Sequence, residues 1–228
     1  MRGAIIKIKR VILCIFTIIA ISFAIAMTLR IAIGVGAWDA LIANGSALSG
    51  IRVGTMGIIF NVSCVVLQLI ILKKDFKFKH VLQVVLSLTL GYAINFFFYD
   101  VLSGIDFPNY FIRLILFITC LTFIAFAISV IMLLDIVIFP LEGACKVISG
   151  KTGVKFHILR QGVDAVSIVL ALSLSFAFAL PLTVREGTVI GMVLFGPLLG
   201  IFGKRLKPLL QKYNLADAEE ELKEELSD

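Results

Sequence analysis

The sequence predicts an all-α polytopic membrane protein: six transmembrane helices forming two inverted three-helix repeats, each with a short re-entrant or amphipathic segment after its first helix. Three observations predict it. Hydrophobic residues make up 60% of the chain and charged residues only 16%, against about a quarter charged in ordinary soluble domains, so the apolar surface exceeds what a core of this size buries. The apolar residues collect in six runs near the length of about 20 residues that crosses a hydrocarbon layer. A stretch after the first run, GAWDALIANGSALSG (36–50), also returns in altered form. Adding 103 to Asp39 gives Glu142, to Gly50 gives Gly153, to Arg52 gives Lys155 and to Asn61 gives Asp164.

The first run, 11–33, follows the basic MRGAIIKIKR. It resembles a signal peptide but is too long for a typical cleaved one, so it is read as a retained first helix. The second and third runs, 53–72 and 81–99, flank the lysine-rich KKDFKFKH, and after the polar turn SGIDFPN the fourth spans 111–139. The fifth spans 158–180 and the sixth 187–202, the last carrying Gly187, Gly191, Gly196 and Gly200 at helix-packing spacing with a break expected at Pro197. The whole is one membrane domain, 1–228, with repeat one over 11–104, repeat two over 106–203 and an acidic cytoplasmic tail over 204–228. In the tail, Leu215, Leu222 and Leu226 share one face of a solvated helix.

Orientation follows from the cations, because Lys and Arg accumulate in short cytoplasmic loops. Arg2, Lys7, Lys9 and Arg10 precede the first run; Lys73, Lys74, Lys77 and Lys79 join the second to the third. Lys146, Lys151, Lys155 and Arg160 lie between the fourth and fifth, and Lys204, Arg205, Lys207 and Lys212 follow the sixth. Both termini are thereby placed in the cytoplasm and the chain in the inner (plasma) membrane. The 21 Lys and Arg encode topology, not a nucleic-acid surface.

Each copy of the repeated stretch follows one helix and precedes two, so an odd number of crossings per unit inverts the second unit relative to the first. Secondary transporters are commonly built this way, with the substrate site near the midplane where the repeats meet. Residues 38–48 and 140–148 form short helices that either dip into the membrane from opposite sides or lie on its surfaces, with Trp38 as an interfacial anchor. Asn61 and Asp164 fall near the middle of their runs, and Arg160 lies one helical turn from Asp164 on the same face. Intramembrane ionisable groups are functional by default. The candidate substrate- or ion-binding residues are therefore Trp38, Asp39, Asn61, Glu142, Arg160 and Asp164, weighed against a structural Arg160–Asp164 pair. Asp135 is placed to meet Lys146 or Lys155 as an interfacial anchor, and Gln83, Tyr92 and Asn95 either line the same cavity or join helices.

Enzymatic readings are weak, because His80 and His157 sit in basic stretches without a nucleophile and carboxylate partner. Cys14, Cys64, Cys120 and Cys145 have no ligand spacing and read as small buried hydrophobes. No cofactor, metal or nucleotide loop is implied.

The set formed by GVGAWDAL at 34–41, the S-x-x-x-G-I-x-x-G-T run from Ser46 to Thr55, the R-x-x-x-D of Arg160 and Asp164, and Gly187-Thr188 followed by Gly196-Pro197 resembles the YczE/YyaS/YitT group of bacterial integral membrane proteins. The resemblance covers 33–202. It implies a bacterial inner-membrane protein of several helices, in a family whose suspected role is transport and which supplies no substrate.

The expected function is a secondary transporter or exporter of a small polar or anionic solute, with a proton as coupling ion. The alternative is a non-transporting membrane module, either a substrate-binding subunit of an ATPase-energised transporter or an assembly or regulatory factor. Expected partners are the lipid bilayer and a small-molecule or ion substrate, with room for a homo-oligomer or a partner membrane protein. A reporter fused after Asp228 is expected to be active only as a cytoplasmic fusion; activity confined to the periplasm would overturn the orientation.

Overall fold

Long runs of Ile, Leu, Val and Phe without interior charge satisfy their backbone groups most simply as helices, and a lipid environment leaves no other open-chain solution. In the computed structural model, which describes residues 2–213 and Leu215 with side chains from Ile8 onward, the secondary structure is helical, with no strand among the described residues. The helices are α1 (Arg2–Ile31), α2 (Ala37–Ser49), α3 (Val53–Leu72), α4 (Phe78–Asn95), α5 (Tyr110–Leu134), α6 (Pro140–Thr152), α7 (Phe156–Ala177) and α8 (Glu186–Lys212). Six of them, all but α2 and α6, are long and apolar enough to cross a membrane. The chain is a multi-pass membrane protein. The amphipathic reading of the tail beyond Leu215 lies outside the described residues.

Helices α1 and α5 pack against each other at the centre, where Ser22, Ala26, Ala125 and Ala127 are almost wholly buried and let the backbones approach. Helix α4 packs on the other flank of α1, and α8 on the corresponding flank of α5. The short helices cross between the halves: α2 lies against α3 and α7, and α6 against α7 and α3. A main apolar cluster joins Ile18 and Ile21 of α1, Ile42 of α2, Met56 of α3, Leu86, Leu90 and Ile94 of α4, and Val130, Ile131 and Leu134 of α5.

Hydrogen bonds gather the loops at two ends. At one, Arg30 Nε donates to Ile105 O (2.8 Å), Arg185 to Ala32 O (2.6 Å) and Gly187 N to Ile33 O (2.8 Å). At the other, Arg10 donates to Leu134 O, and Lys79 pairs with Asp135 at 3.2 Å. Asp135 thus meets Lys79, in the first turn of α4, and not Lys146 or Lys155. Sequence distance hid this partner, because the start of α4 and the end of α5 become neighbours only when α1, α4 and α5 are packed.

One further expectation changes, and one open alternative closes. Helix α8 continues through Pro197 and Pro208 to Lys212 instead of breaking near 197; within a packed membrane helix, a neighbour and local adjustment tolerate the missing N–H of proline. Asn95 is a joint and not a cavity wall: its Oδ1 accepts from Gly54 N (2.8 Å) and its Nδ2 donates to Thr55 Oγ1 (2.9 Å). Tyr92 faces outward, 66% exposed.

The α3–α4 seam depends on two glycines. A Cβ at Gly54 would lie 2.1 Å from Gly91 O, and one at Gly91 would lie 2.3 Å from Ile58 Cγ1 and 2.5 Å from Gly54 O. Neither backbone can yield without losing the Asn95 bond. Gly54→Ala and Gly91→Ala are each expected to cost on the order of 1–3 kcal/mol, the usual scale for overpacking, seen as a lowered melting temperature in detergent. Gly200→Ala, where nothing lies within 4 Å, is the control and should melt with the parent.

Candidate functional site

Two matched helices carry the site. Both α2 and α6 have 13 residues, and α2 closes on Gly50 at φ 72°, ψ 2° and α6 on Gly153 at φ 73°, ψ 2°. This left-handed cap suits glycine because it has no Cβ to clash. The cap N–H returns to Ser46 O in one and Ser149 O in the other, both at 2.9 Å. The hydroxyls of the same serines donate to Ile51 O (2.6 Å) and Val154 O (2.7 Å). Upstream, Ala32 and Asp135, again separated by 103 positions, both take positive φ, at 55° and 44°. The sequence echo is therefore an echo of backbone conformation.

The starts of both short helices reach the same part of α3. Trp38, in the first turn of α2, meets Phe60 edge-on at 5.6 Å, about two helical turns into α3. Leu141, Ala144 and Cys145 of α6 pack with Cys64, one turn further along, and Trp38 of α2 and Phe156, Leu159 and Val163 of α7 surround that cluster. Asp39 and Glu142 occupy the first turns of α2 and α6, where a carboxylate complements the positive end of the helix dipole.

Arg160 of α7 binds two acids. Its Nε donates to Glu142 Oε1 at 3.3 Å, and a second guanidinium nitrogen donates to Asp164 Oδ1 one turn along α7. The Arg160, Glu142 and Asp164 side chains are 25%, 33% and 24% exposed, so solvent screens this network less than it screens a surface pair. Asp39 is half-buried and makes no hydrogen bond or ion pair among the described residues, yet it lies within the field of all three. Loss of water pushes its carboxyl up from the ordinary 3.8 to about 6; Arg160 opposes the shift, while Asp164 and Glu142 add to it.

Asn61 is 9% exposed, and its amide hydrogen-bonds to no described residue. It lies one turn from Cys64 and beside Phe60, on the part of α3 bracketed by the starts of α2 and α6. The Trp38 indole nitrogen is likewise buried without a partner. Of the six sequence candidates, the structure bonds Glu142, Arg160 and Asp164 together, sets Asp39 beside them electrostatically, and leaves Asn61 and Trp38 around the same stretch of α3 with unpaired polar groups.

Two polar knots join helices: in the first Gln83, read as lining the cavity or joining helices, does the latter, while its partner Gln68 and the second knot were not anticipated. Gln68 Nε2 donates to Gln83 Oε1 (2.8 Å) and to Pro140 O (3.1 Å), tying α3 and α4 to the first residue of α6. Asn44 of α2 donates to Ser175 Oγ (2.9 Å) and to Ala171 O of α7, and accepts from Thr183 Oγ1 at 3.0 Å. The sequence signal for both was an amide within an apolar stretch, and Gln68 and Asn44 carried it as plainly as Asn61 did.

Over residues 8–204 the chain matches a family of unknown function, DUF6198. It belongs to that family. No curated protein and no solved structure matches the chain. In this DUF6198 protein a separate groove of about 270 Å³ opens at the Arg185 end, with Asn44, Thr183 and Arg185 among its walls. Its lining does not include Asp39, Glu142, Arg160 or Asp164.

The raised Asp39 pKa has a signed consequence. Relative to an unfolded chain with the ordinary value, the folded protein binds the extra proton between about pH 4 and pH 6. Asp39 therefore favours the fold least above pH 6 and stops opposing it below pH 4. Asp39→Asn should melt at a higher temperature than the parent at pH 7.5, and the gap should close by pH 4. A gap that grows as the pH falls would contradict the assignment.

Proposed function

We propose that this protein is a secondary transporter of a small polar solute, with its site where the first turns of α2 and α6 meet Asn61 of α3 and the Arg160–Asp164 pair of α7. One observation carries the reading: two helices with the same length, caps and preceding turn each start with an acid, Glu142 bonded to the Arg160 guanidinium and Asp39 within its electrostatic influence. In this reading α1–α4 and α5–α8 are inverted repeats, α2 and α6 are re-entrant from opposite sides, and the site lies near the midplane. Trp38 packing two turns down α3, and Pro140 O bonding to Gln68 inside the bundle, support re-entrance over surface helices.

The orientation, with both termini cytoplasmic in the bacterial inner membrane, belongs to the same proposal, as does the resemblance to the YczE/YyaS/YitT group. The charge pattern supports it: Lys79 and Arg10 gather at the end opposite Arg30 and Arg185. A proton is the coupling ion that suits a carboxyl such as Asp39, which changes charge near neutral pH.

Reconstituted in liposomes containing a pH-sensitive dye, the protein is expected to give ion-gradient-driven flux when metabolite pools are added outside. Asp164→Asn and Arg160→Gln should each lower that flux at least tenfold, while Asp135→Asn, at the distant Lys79 pair, should leave it intact. Flux that survives both site variants would remove the site assignment. A protein that moves nothing alone and copurifies with a membrane partner would point instead to the non-transporting module.

A further inference from the structure

The groove at the Arg185 end takes its walls from both halves of the chain. The end of α1, the last two turns of α2, the start of α3 and the turn after α4 supply one side, with Leu29, Val35, Val53 and Phe98 among them; the loop from Pro181 to Arg185 supplies the other. At about 30 Å³ per heavy atom, the share a water molecule takes in the liquid, the groove holds a body of roughly nine heavy atoms. Its polar groups are few. Arg185 is the only charged side chain in the lining, and no acid joins it. One of its terminal nitrogens donates to Ala32 O and Nε lies 4.0 Å from Glu186, which leaves Nη2 without a bond among the described residues. Tyr99 Oη accepts from Val53 N at 3.2 Å, so its own proton is free to be donated. Asn44 and Thr183 are bonded to each other and to α7 and α2. Asp100 and Glu186, next in sequence to two wall residues, are exposed and outside the lining, where water and salt screen them. A second cation stands beside the wall: the Arg52 guanidinium lies 5.4 Å from the centre of the Tyr99 ring. Two helix-end carbonyls of wall residues, Ala32 O and Ser46 O, are already taken by Arg185 and by Gly50 N.

We propose that this groove binds a small monocarboxylate with an apolar tail, its carboxylate held by Arg185 and Tyr99 and its tail laid against the α1, α2 and α3 wall. A guanidinium nitrogen and a hydroxyl donor offer one hydrogen bond to each oxygen of a carboxylate, and charge assists the first. The apolar wall rewards a hydrocarbon tail in proportion to the area it covers, and a cation finds no acid in the lining. A phospholipid acyl chain exceeds the size of the groove, which suits a short free acid. The groove is separate from the Arg160 cluster, and the proposal stands whether or not the chain transports.

The purified full-length protein in phosphatidylcholine nanodiscs is titrated calorimetrically with sodium hexanoate, and with hexanol, sodium acetate and hexylammonium chloride at equal ionic strength, empty nanodiscs serving as the blank. Hexanoate should saturate, and the other three should bind at least tenfold more weakly. Arg185→Gln should weaken hexanoate at least tenfold while leaving hexanol unchanged, and Arg185→Lys should recover part of the loss. Ala47→Phe, at an exposed position in the wall, should remove hexanoate binding with the melting temperature of the parent, which keeps the test decisive if Arg185→Gln does not fold. Asp164→Asn, expected above to lower flux, should bind hexanoate as the parent does. Hexanol or hexylammonium binding as tightly as hexanoate, no saturation in protein that melts cooperatively, or parental affinity in Ala47→Phe would overturn the assignment. Binding seen in detergent but lost in nanodiscs would overturn it too, because lipid would then hold the groove. Hexanoate binding in a protein that moves no solute sustains the site and removes only the transport reading.

Discussion

Wherever a helix begins or ends inside an apolar bundle, its free amide and carbonyl groups must find partners other than water. Much of this structure answers that requirement. Gly50 and Gly153 turn the last amides of α2 and α6 back onto serine carbonyls, and the hydroxyls of those serines satisfy the next carbonyls in the chain. One side-chain amide does the same between helices, Asn95 accepting from the free Gly54 amide near the start of α3, while Gln68 and Asn44 donate to the Pro140 and Ala171 carbonyls and tie α6 and α7 to their neighbours. The caps of α2 and α6 are exposed, whereas the bonds of Asn95, Gln68 and Asn44 are buried; an unpaired buried backbone group costs more than a single hydrogen bond contributes, so these amides constrain the fold.

Correspondence between the halves is close where the backbone is broken and looser where it is continuous. The stretch from Ala32 to Val53 and that from Asp135 to Phe156 share turns, caps and hydrogen bonds. The outer helices diverge: α3 packs closely along α4, whereas α7 has no comparable contact with α8. The residue equivalent to Gly54 is His157, which is exposed, so the second half lacks the bare backbone that lets α3 and α4 touch. Helix α8 is held by α5 instead.

What could be read in the sequence follows the same division. Six spans, the 103-residue echo and the Arg160–Asp164 spacing are local or periodic features, and composition and spacing record them directly. The partners of Asp135, Gln68 and Asn44 depend on which helices become neighbours, and one sequence holds no record of adjacency. Pro197 misled because a proline breaks a helix only when nothing else stabilises it, and the packing of α8 on α5 is a tertiary fact. Asn95 stayed open for a related reason: an amide in an apolar run is equally suited to a solute or to a broken backbone. Only its distance to Gly54 N decides between them.

The two bonds of Arg160 are not equivalent. Asp164 lies on the same helix, so that bond holds no elements together and moves with α7 as a unit. Glu142 lies on α6, at a longer and weaker-geometry 3.3 Å, and this bond crosses between a short helix and its scaffold. Anything that draws charge from Glu142, or returns it, changes the attraction between α6 and α7 without disturbing either helix internally. The corresponding position on α2, Asp39, has no such bond. Asn61 stands on α3 where Asp164 stands on α7, so an arginine on α3 to complete the symmetric arrangement would have to occupy position 57, which is glycine. One half of the site is thus closed by a protein cation and the other has the acid without the cation. That asymmetry sets Asp39 apart from the two acids that Arg160 holds.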